Sequence, residues 1–230
     1  MLSSLPKVSV LIPIYNGIEF IHESVTSILN QTEVSWELII GINGHAEKSI
    51  VFQMAKAYEL LSPQKIRVLD LHTIRGKSAA LNEMVKYANA DYVAILDVDD
   101  IWLPIKLEKQ MPYISAQYDV IGTKSVFFGQ MSGIVPRIPT GDISLFDFFS
   151  VNPVINSSAL IKKELARWDE EYGSKGVEDY NLWLTLRKQN KRFFNCDEVL
   201  IKHRIHQTSA FNAKGNHNYV PELLAKHREL

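Results

Sequence analysis

The stretch DYVAILDVDD, residues 91–100, decides the fold of this 230-residue chain. Residues 92–96 are a short apolar run that leads directly into three carboxylates, Asp97, Asp99 and Asp100. A short apolar run after a helical pattern is typical of a buried strand in a parallel sheet. Ligands of such sheets bind outside the carboxyl ends of the strands. The stretch therefore predicts an α/β fold with a negatively charged binding edge.

The sequence before this stretch repeats the strand and helix pattern three times. Apolar runs lie at residues 8–14, 36–42 and 66–71, and apolar residues at helical spacing follow each run. The repeats predict a Rossmann-like, mostly parallel sheet with helices on both faces. We expect the polar residues after these strands to gather at one edge. They are Tyr15, Asn16, Asn43, Arg75 and Lys77.

The second half of the chain is less regular and predicts a smaller mixed region. Residues 120–128 and 157–161 favour strands, and residues 178–189 favour a helix. The C-terminal segment is basic and rich in histidine. Its residues of these types are Lys202, His203, Arg204, His206, Lys214, His217, Lys226, His227 and Arg228.

Composition excludes several classes of protein. Lys and Arg number 25 against 26 Asp and Glu, so the charge argues against a nucleic-acid binder that relies on bulk positive charge. The single cysteine, Cys196, excludes an internal disulfide and a zinc finger. No basic leader and no apolar window of ~18 residues is present, so we expect a cytoplasmic protein.

The acidic cluster at residues 97–100 favours a divalent cation. Three carboxylates within four residues are costly unless positive charge lies beside them. Oxygen ligands select Mg²⁺ or Mn²⁺, which share carboxylates with substrate phosphates. The alternative is a solvated acidic turn. An EF-hand is excluded because Ile101 and Trp102 stand where an oxygen ligand and a glycine are needed.

Six segments in this order resemble family 2 glycosyltransferases of the GT-A fold. The likeness spans nearly the whole chain, and the ordered set is far more specific than any one short match. The segments are residues 9–17, 36–40, 76–82, 94–110, 177–184 and 203–209.

The resemblance implies sugar transfer from a nucleotide-sugar donor with inversion and a divalent metal, Mn²⁺ or Mg²⁺. Residue by residue, Pro13, Tyr15 and Asn16 would line the nucleoside pocket. Asp97 would contact the ribose or the metal, and Asp99 would bind the metal between the phosphates. In the same way, His206 is a candidate for the metal or diphosphate site.

Asp179 is the implied catalytic base, with Glu178 and Asp100 on the acceptor side. An acceptor hydroxyl is a poor nucleophile, so a positioned carboxylate must take its proton. Asp179 lies at a predicted helix start, where the helix dipole favours the ionised carboxylate. The alternative is that Glu178 and Asp179 only supply charge to the helix terminus.

Two further residues carry both a functional and a structural interpretation. Lys77 suits a phosphate as a point charge, but a loop lysine is often only solvated. Asn16, with Glu19 three residues later, predicts a helix N-cap first and a ligand contact second.

The sequence departs from the family pattern at the second strand. An acidic pair usually follows it, and here these positions are Ile42 and Asn43. An amide can both donate and accept, so Asn43 remains a candidate for the base edge. A UDP-sugar is the first choice of donor, and dTDP- and GDP-sugars stay open. Leu81 also replaces an arginine that is often present in the family.

We expect one domain over residues 1–230. Residues 1–100 would bind the nucleotide sugar, 101–210 the acceptor, and 211–230 would form a basic tail. The acceptor would be a glycan or a lipid-linked glycan, and the tail would contact the inner face of the plasma membrane or remain solvated.

Two other functions compete with glycosyl transfer. A nucleotidyl- or phosphoryl-transfer enzyme would use the same sheet edge but would not need Asp179. A catalytically inactive module would bind nucleotide sugars without transfer, as the loss of the acidic pair at residues 42–43 suggests. The presence of both Asp97–Asp100 and Asp179 argues against inactivity.

Overall fold

Nine strands form one sheet within the described part of this computed structural model, residues 6–173, 175–207 and 218–229. Their order across the sheet is β3-β2-β1-β4-β8-β6-β9-β5, with β7 paired to β9. The strands are β1 (Val8–Ile14), β2 (Trp36–Asn43), β3 (Ile66–Leu71), β4 (Tyr92–Ile95), β5 (Ile101–Trp102), β6 (Val120–Gly129), β7 (Gly141–Asp142), β8 (Leu160–Lys162) and β9 (Phe193–Ile205).

Six α-helices accompany the sheet in the same described ranges. They are α1 (Ile21–Leu29), α2 (Ile50–Lys56), α3 (Lys77–Val85), α4 (Lys106–Ser115), α5 (Glu178–Lys188) and α6 (Val220–Glu229). Short 3-10 turns lie at Ile18–Phe20, Ala57–Leu61, Asn156–Ser158, Lys163–Leu165 and Glu170–Tyr172.

The first four strands are parallel neighbours, as predicted. β1 pairs with β2 and β4, and β2 pairs with β3, all in parallel. Every residue of β1 is buried, because helices cover both faces. Alternate β1 side chains enter separate cores. Val10 packs in the core that contains α1, whereas Leu11 packs in the core that contains α3 and α5.

The remaining strands extend the sheet with mixed directions. β8 is antiparallel to β4 and β6, and β9 is parallel to β6. The predicted strand at 157–161 begins late, because residues 156–158 form a 3-10 turn in which the Ser158 hydroxyl donates to Ile155 O at 2.7 Å. Such local bonds from a serine compete with the ladder of a sheet.

The predicted basic tail is partly a docked helix. Leu223 of α6 is fully buried and His227 is 7% exposed. Lys226 Nζ lies 3.1 Å from Glu171 Oε2, so part of the basic charge is satisfied within the protein. Residues 211–217 of that segment, with Lys214 and His217, lie outside the described residues. None of the described helices has the length and apolar character needed to cross a bilayer.

Candidate active site

The carboxyl ends of β1, β2 and β4 lie side by side at one edge of the sheet, as their parallel pairing requires. Pro13 is buried near the end of β1, and Tyr15 follows that strand. Asn43 ends β2 and is 3% exposed, and Asp97 follows β4. The structure therefore brings these predicted donor-side residues to the same edge.

Tyr15 presents its ring to solvent beside the loop that follows β2. Tyr15 is 57% exposed. Its ring centroid lies 5.6 Å from that of His45, and His45 Nε2 lies 2.6 Å from the Tyr15 carbonyl oxygen. Gly44 has φ 79°, and a Cβ atom there would lie 2.5 Å from Tyr15 Cδ2. The position of the Tyr15 ring therefore requires glycine at residue 44.

Gly17 begins the first helical turn and brings two loops of the site together. The predicted cap by Asn16 is wrong, since Gly17 with φ 87° is the N-cap residue and no side chain caps the turn. Asn16 is exposed at the edge. A Cβ atom at Gly17 would lie 2.9 Å from Val98 Cγ1, so the glycine lets the loop after β1 contact the acidic loop.

Lys77 joins two carboxylates of the site. Its Nζ lies 2.6 Å from Asp97 Oδ1 and 3.2 Å from Glu178 Oε1. Burial disfavours the ammonium charge, but the Asp97 and Glu178 carboxylates outweigh burial and raise the pKa of Lys77. Lys77 is therefore a paired cation at the start of α3 and not a solvated loop lysine.

Asp97 is held in place by hydrogen bonds as well as by charge. Asn156 Nδ2 lies 3.1 and 3.3 Å from the two Asp97 carboxylate oxygens, and the Asp97 backbone N–H donates to Ser157 Oγ at 3.1 Å. Burial alone would raise the pKa of Asp97, but the Lys77 charge and these donors lower it. Asp97 is therefore ionised at neutral pH.

Asp99 and His206 meet at the other end of the acidic loop. Asp99 Oδ2 lies 2.9 Å from His206 Nε2, and the His206 ring lies 5.1 Å from the ring of Phe20. Burial, followed by the charges of Asp100 and Asp97, raises the pKa of Asp99. Burial is the largest of these causes, and the two neighbouring carboxylates of the loop add to it.

Asp100 fastens the acidic loop to the end of β9. Its side chain has no exposed surface. Asp100 Oδ2 lies 3.1 Å from His203 Nδ1, and Oδ1 accepts the Arg204 backbone N–H at 2.9 Å. Burial would lower the pKa of His203, but the Asp100 carboxylate raises it. Asp100 therefore bears on an acceptor only through the loop that it holds, and Thr208 and Ser209 of the same late motif lie outside the described residues.

The donor set at Asp99 and His206 fits a divalent cation that shares its coordination with phosphate. No group of three or more His, Cys, Asp or Glu side chains within residues 6–173, 175–207 and 218–229 is arranged to hold an ion alone. Mg²⁺ and Mn²⁺ in nucleotide sites usually take one or two carboxylates and complete their coordination with phosphate oxygens and water. Asp99 supplies one such carboxylate, and its Oδ2 lies beside His206 Nε2.

Asp179 is the second residue of α5, where the sequence predicts a helix start. Its Oδ1 accepts the Tyr180 backbone N–H at 2.7 Å, and its Oδ2 accepts from Asn152 Nδ2 at 3.2 Å. Burial, followed by the charge of Glu178, raises the pKa of Asp179 to about 7. The helix dipole and the nearby Lys77 favour the ionised form, as the sequence predicts, but burial outweighs them and brings the pKa close to neutrality.

Two contacts of the site, Asn152 and Asn156, were not predicted from the sequence. They stand four residues apart in a segment without helical or strand periodicity, so no pattern singles them out. The available signal is chemical. The two amides, beside Pro153 and Ser157, supply neutral donors that can hold the carboxylates of Asp97 and Asp179.

Comparison with known proteins gives a consistent result. The family model described as Glycosyl transferase family 2 matches residues 9–204. A related sequence is the UDP-Glc:alpha-D-GlcNAc-diphosphoundecaprenol beta-1,3-glucosyltransferase WfgD of Escherichia coli. It is 27% identical over 216 residues, which cover 90% of this chain and 80% of that protein.

Solved structures share the fold. S. aureus TarS 1-349 in complex with UDP-GlcNAc matches with a TM-score of 0.74 at 18% identity over 96% of this chain. The mannosyltransferase PcManGT from Pyrobaculum calidifontis, in complex with GDP-Man and Mn²⁺, matches with a TM-score of 0.67 at 16% identity over 98% of this chain. The chain spans 66% and 63% of the lengths of those two solved chains. From the family match between β1 and β9, together with this shared sheet, we conclude that the chain belongs to glycosyl transferase family 2 and has the GT-A fold.

Proposed function

We propose that this chain transfers a sugar from a nucleoside diphosphate sugar to an acceptor hydroxyl with inversion at the anomeric carbon. The acceptor oxygen forms a bond to the anomeric carbon while the bond from that carbon to the diphosphate oxygen breaks. The electron pair of the broken bond leaves with the diphosphate. The acceptor proton passes to the Asp179 carboxylate, and attack from the face opposite the leaving group inverts the configuration.

The placement of the Asp179 carboxylate is the observation that carries this proposal. Asn152 Nδ2 lies 3.2 Å from its Oδ2 at the start of α5, beside the network of Glu178, Lys77 and Asp97. A pKa of about 7 lets the carboxylate be ionised at neutral pH and still accept a proton from a hydroxyl. A solvated carboxylate at a helix start keeps a pKa near ~4, so helix-terminal charge does not account for this environment. Lys77 links the adjacent Glu178 to Asp97, which puts the base in the same ionic network as the sheet edge.

The donor side of the proposal rests on the edge formed by β1, β2 and β4. Tyr15 offers an exposed ring on which a nucleobase can stack. The Lys77 ammonium has three N–H donors and two carboxylate partners, so one donor is available for a phosphate oxygen. Because WfgD is named for UDP-Glc and the TarS complex holds UDP-GlcNAc, a UDP-sugar is the donor that we propose.

We propose that residues 101–210 supply the acceptor side and that the acceptor is a glycan or lipid-linked glycan. The name of WfgD specifies a sugar carried on diphosphoundecaprenol, which supports this class. The corresponding place of action is the cytoplasmic face of the membrane that carries the acceptor. The α5 residues Glu178 and Asp179 belong to this side.

Family 2 enzymes of the GT-A fold generally use a divalent metal, and the PcManGT complex holds Mn²⁺. Asp99 and His206 would hold such an ion here, with Asp97 beside them. When bound, the ion stabilises negative charge on the departing diphosphate.

Calorimetry with UDP, dTDP, GDP and CMP, each with Mn²⁺ or Mg²⁺, tests the donor and the metal together. We expect UDP to bind in a metal-dependent way and Asp99→Ala to abolish that binding. Asp179→Asn should bind UDP as the wild type does, yet release UDP from UDP-sugars about 10²–10⁴ times more slowly. Asp147→Asn is the matched control, because Asp147 is exposed and its carboxylate accepts the nearby Phe149 N–H at 2.9 Å.

The outcomes separate the competing functions. Wild-type turnover by Asp179→Asn would refute the base and favour phosphoryl transfer at the same edge. Metal-dependent binding without any turnover by the wild type would favour an inactive binding module.

A further inference from the structure

The segment from Asn152 to Ser158 is held rigidly by side chains of four other elements. Asn195 Nδ2 of β9 donates to Pro153 O at 2.8 Å, and Trp183 Nε1 of α5 donates to Val154 O at 3.1 Å. Two further bonds fix the end of the segment, from Trp102 Nε1 to Ser157 O at 2.8 Å and from Gln110 Nε2 to Ser158 O at 3.0 Å. A segment clamped at this many carbonyls presents its own side chains in fixed positions.

Two asparagines of this segment contact the two carboxylates whose pKa values shift in opposite directions. Asn156 Nδ2 contacts Asp97, and Asn152 Nδ2 donates to Asp179 Oδ2 at 3.2 Å. Each side-chain amide therefore contacts one carboxylate of the candidate site through its NH₂ group.

The carbonyl oxygens of these amides have no hydrogen-bond partner among the described residues. Asn152 Oδ1 and Asn156 Oδ1 are both buried and unpaired. An unpaired buried acceptor costs about 1–3 kcal/mol, and such groups are uncommon in native proteins. An acceptor left unpaired on the amide that holds the base is suited to a donor that arrives with the substrate.

We propose that Asn152 is a positioning residue that holds Asp179 through its amide N–H and receives a second hydroxyl of the acceptor on its carbonyl oxygen. The inference rests on the proposed role of Asp179 as base. The attacking hydroxyl gives its proton to Asp179, while a neighbouring hydroxyl donates to Asn152 Oδ1 and fixes the acceptor. The acceptor class is therefore a polyol or sugar with two adjacent hydroxyls, and one of the two is the site of transfer.

The groups that face Asp179 set the direction of the effect. Glu178 on the same helix raises the pKa of Asp179, and Lys77 at the start of α3 lowers it. The Asn152 N–H also lowers it, because the donor stabilises the ionised carboxylate. Loss of the Asn152 donor must therefore raise the pKa of Asp179.

The first test follows the Asp179 carboxyl by NMR in chain labelled with ¹³C at the aspartate carboxyl carbon, without donor or metal. The Asp179 signal is the one missing in Asp179→Asn. We expect its titration midpoint to rise by about one pH unit in Asn152→Ala, since a hydrogen bond to a charged group is worth about that much. Asn152→Asp should raise it further, because a second carboxylate then faces the first.

The matched control removes the same kind of bond elsewhere. Asn89 Nδ2 donates to Glu37 Oε2 at 2.8 Å, and Asn89 is exposed. Asn89→Ala should leave the Asp179 midpoint at its wild-type value. An unchanged midpoint in both Asn152 variants overturns the positioning role.

The second test compares transfer to ethylene glycol with transfer to ethanol, using UDP-glucose or UDP-N-acetylglucosamine as donor. We expect the wild type to glycosylate ethylene glycol about tenfold better per mole, as one added hydrogen bond predicts. Asn152→Ala should lose that preference, although it retains Asp179. If the wild type transfers the sugar equally well to both alcohols, or forms no product with ethylene glycol, Asn152 does not bind a second hydroxyl of the acceptor.

Failure of the proposed function would look different. In that case Asp179→Asn turns over the donor as the wild type does. The titration midpoint of the Asp179 carboxyl in the two Asn152 variants still shows whether Asn152 holds that carboxyl.

Discussion

Asp97 and Asp179 are the same residue type in one ionic network, yet their protonation behaviour is opposite. Burial disfavours the charge of both carboxylates. At Asp97, the Lys77 ammonium at 2.6 Å reverses that effect and lowers the pKa. At Asp179, the neighbouring Glu178 adds to burial and raises the pKa to about 7.

The difference between the two pKa shifts suits the two regions of the molecule to different steps of the reaction. The edge formed by the parallel strands carries a fixed charge, which suits the binding of a cation and a diphosphate. The start of α5 carries a carboxyl that titrates near neutrality, which suits proton transfer. One lysine and one glutamate, and not the aspartates themselves, create the contrast.

Replacement of Lys77 by methionine should break this contrast with the largest effect. Asp97 and Glu178 would lose their shared cation, so the pKa values of Asp97 and Asp179 should both rise. Removal of one partner from a largely buried pair costs about 3 kcal/mol of unfolding free energy. Chemical denaturation at pH 7.5 measures that loss, which should shrink toward pH 5 as the unpaired carboxylates take up protons.

Lys86→Met is the control for the Lys77 variant. Lys86 Nζ also lies 2.6 Å from a carboxylate, Glu83 Oε2, but this pair is at the surface. We expect no measurable change in the denaturation midpoint at either pH. A loss as large as that of Lys77→Met would show that lysine replacement itself, and not the ionic network, destabilises the chain.

Gly44→Ala should disturb only the donor side of the comparison. A Cβ atom there lies 2.5 Å from Tyr15 Cδ2, so the ring must leave the position in which it can stack on a base. We expect UDP affinity, measured by calorimetry with Mn²⁺, to fall about tenfold, in line with the loss of one stacking contact. The titration of Asp179 should not change.

The Gly133→Ala variant is the control that distinguishes the clash with the Tyr15 ring from the strain of a left-handed backbone. Gly133 has φ 76°, close to the 79° of Gly44, and a Cβ atom there meets nothing within 4 Å. Both variants should lose about 1 kcal/mol of stability from the left-handed conformation. Only Gly44→Ala should weaken nucleotide binding, and equal weakening in both would remove the argument for the Tyr15 ring.

The donor edge could be predicted from the sequence because its determinants are periodic. The β1, β2 and β4 strands are mostly apolar runs, and their parallel pairing fixes where Tyr15, Asn43 and Asp97 lie. Even there, local geometry decided the details. Gly17, and not Asn16, begins the first turn. Its φ is 87°, and a Cβ atom there would lie 2.9 Å from Val98 Cγ1.

The α5 side could be predicted only in part. The helix itself follows from its spacing, but the behaviour of Asp179 depends on burial and on groups distant in sequence, including Lys77 and Asn152. The helix dipole favours the ionised carboxylate, but burial and the Glu178 charge outweigh it at Asp179. The strand β9 mixes polar and apolar residues in a pattern that turns irregular where its register with β6 shifts. The sequence singles out only its last residues, from Lys202 on, as the start of a basic segment.

The smallest expected effect concerns α6, which packs against the α5 side and not against the donor edge. His227 Nε2 lies 2.8 Å from Asn181 Oδ1 of α5, two residues beyond Asp179. Burial, then the charges of Lys188 and Lys226, lower the pKa of His227 from 6.5. The folded chain therefore holds this proton less tightly than the unfolded chain does.

Because the pKa of His227 is lower in the folded state, the docking of α6 should be most stable above pH 6.5 and weaken as the pH falls through 6.5 toward that lower value. We expect the hydrogen-exchange protection of α6 amides, corrected for intrinsic rates, to fall about threefold between pH 7.5 and 5.5. Amides of β1 should show no such change. His227→Gln keeps a donor for Asn181 but does not titrate, so its α6 protection should be the same at both pH values. If the variant loses protection as the wild type does, the pH dependence of α6 docking does not arise from His227. Asp179 cannot supply it, because its raised pKa makes the folded chain more stable as the pH falls.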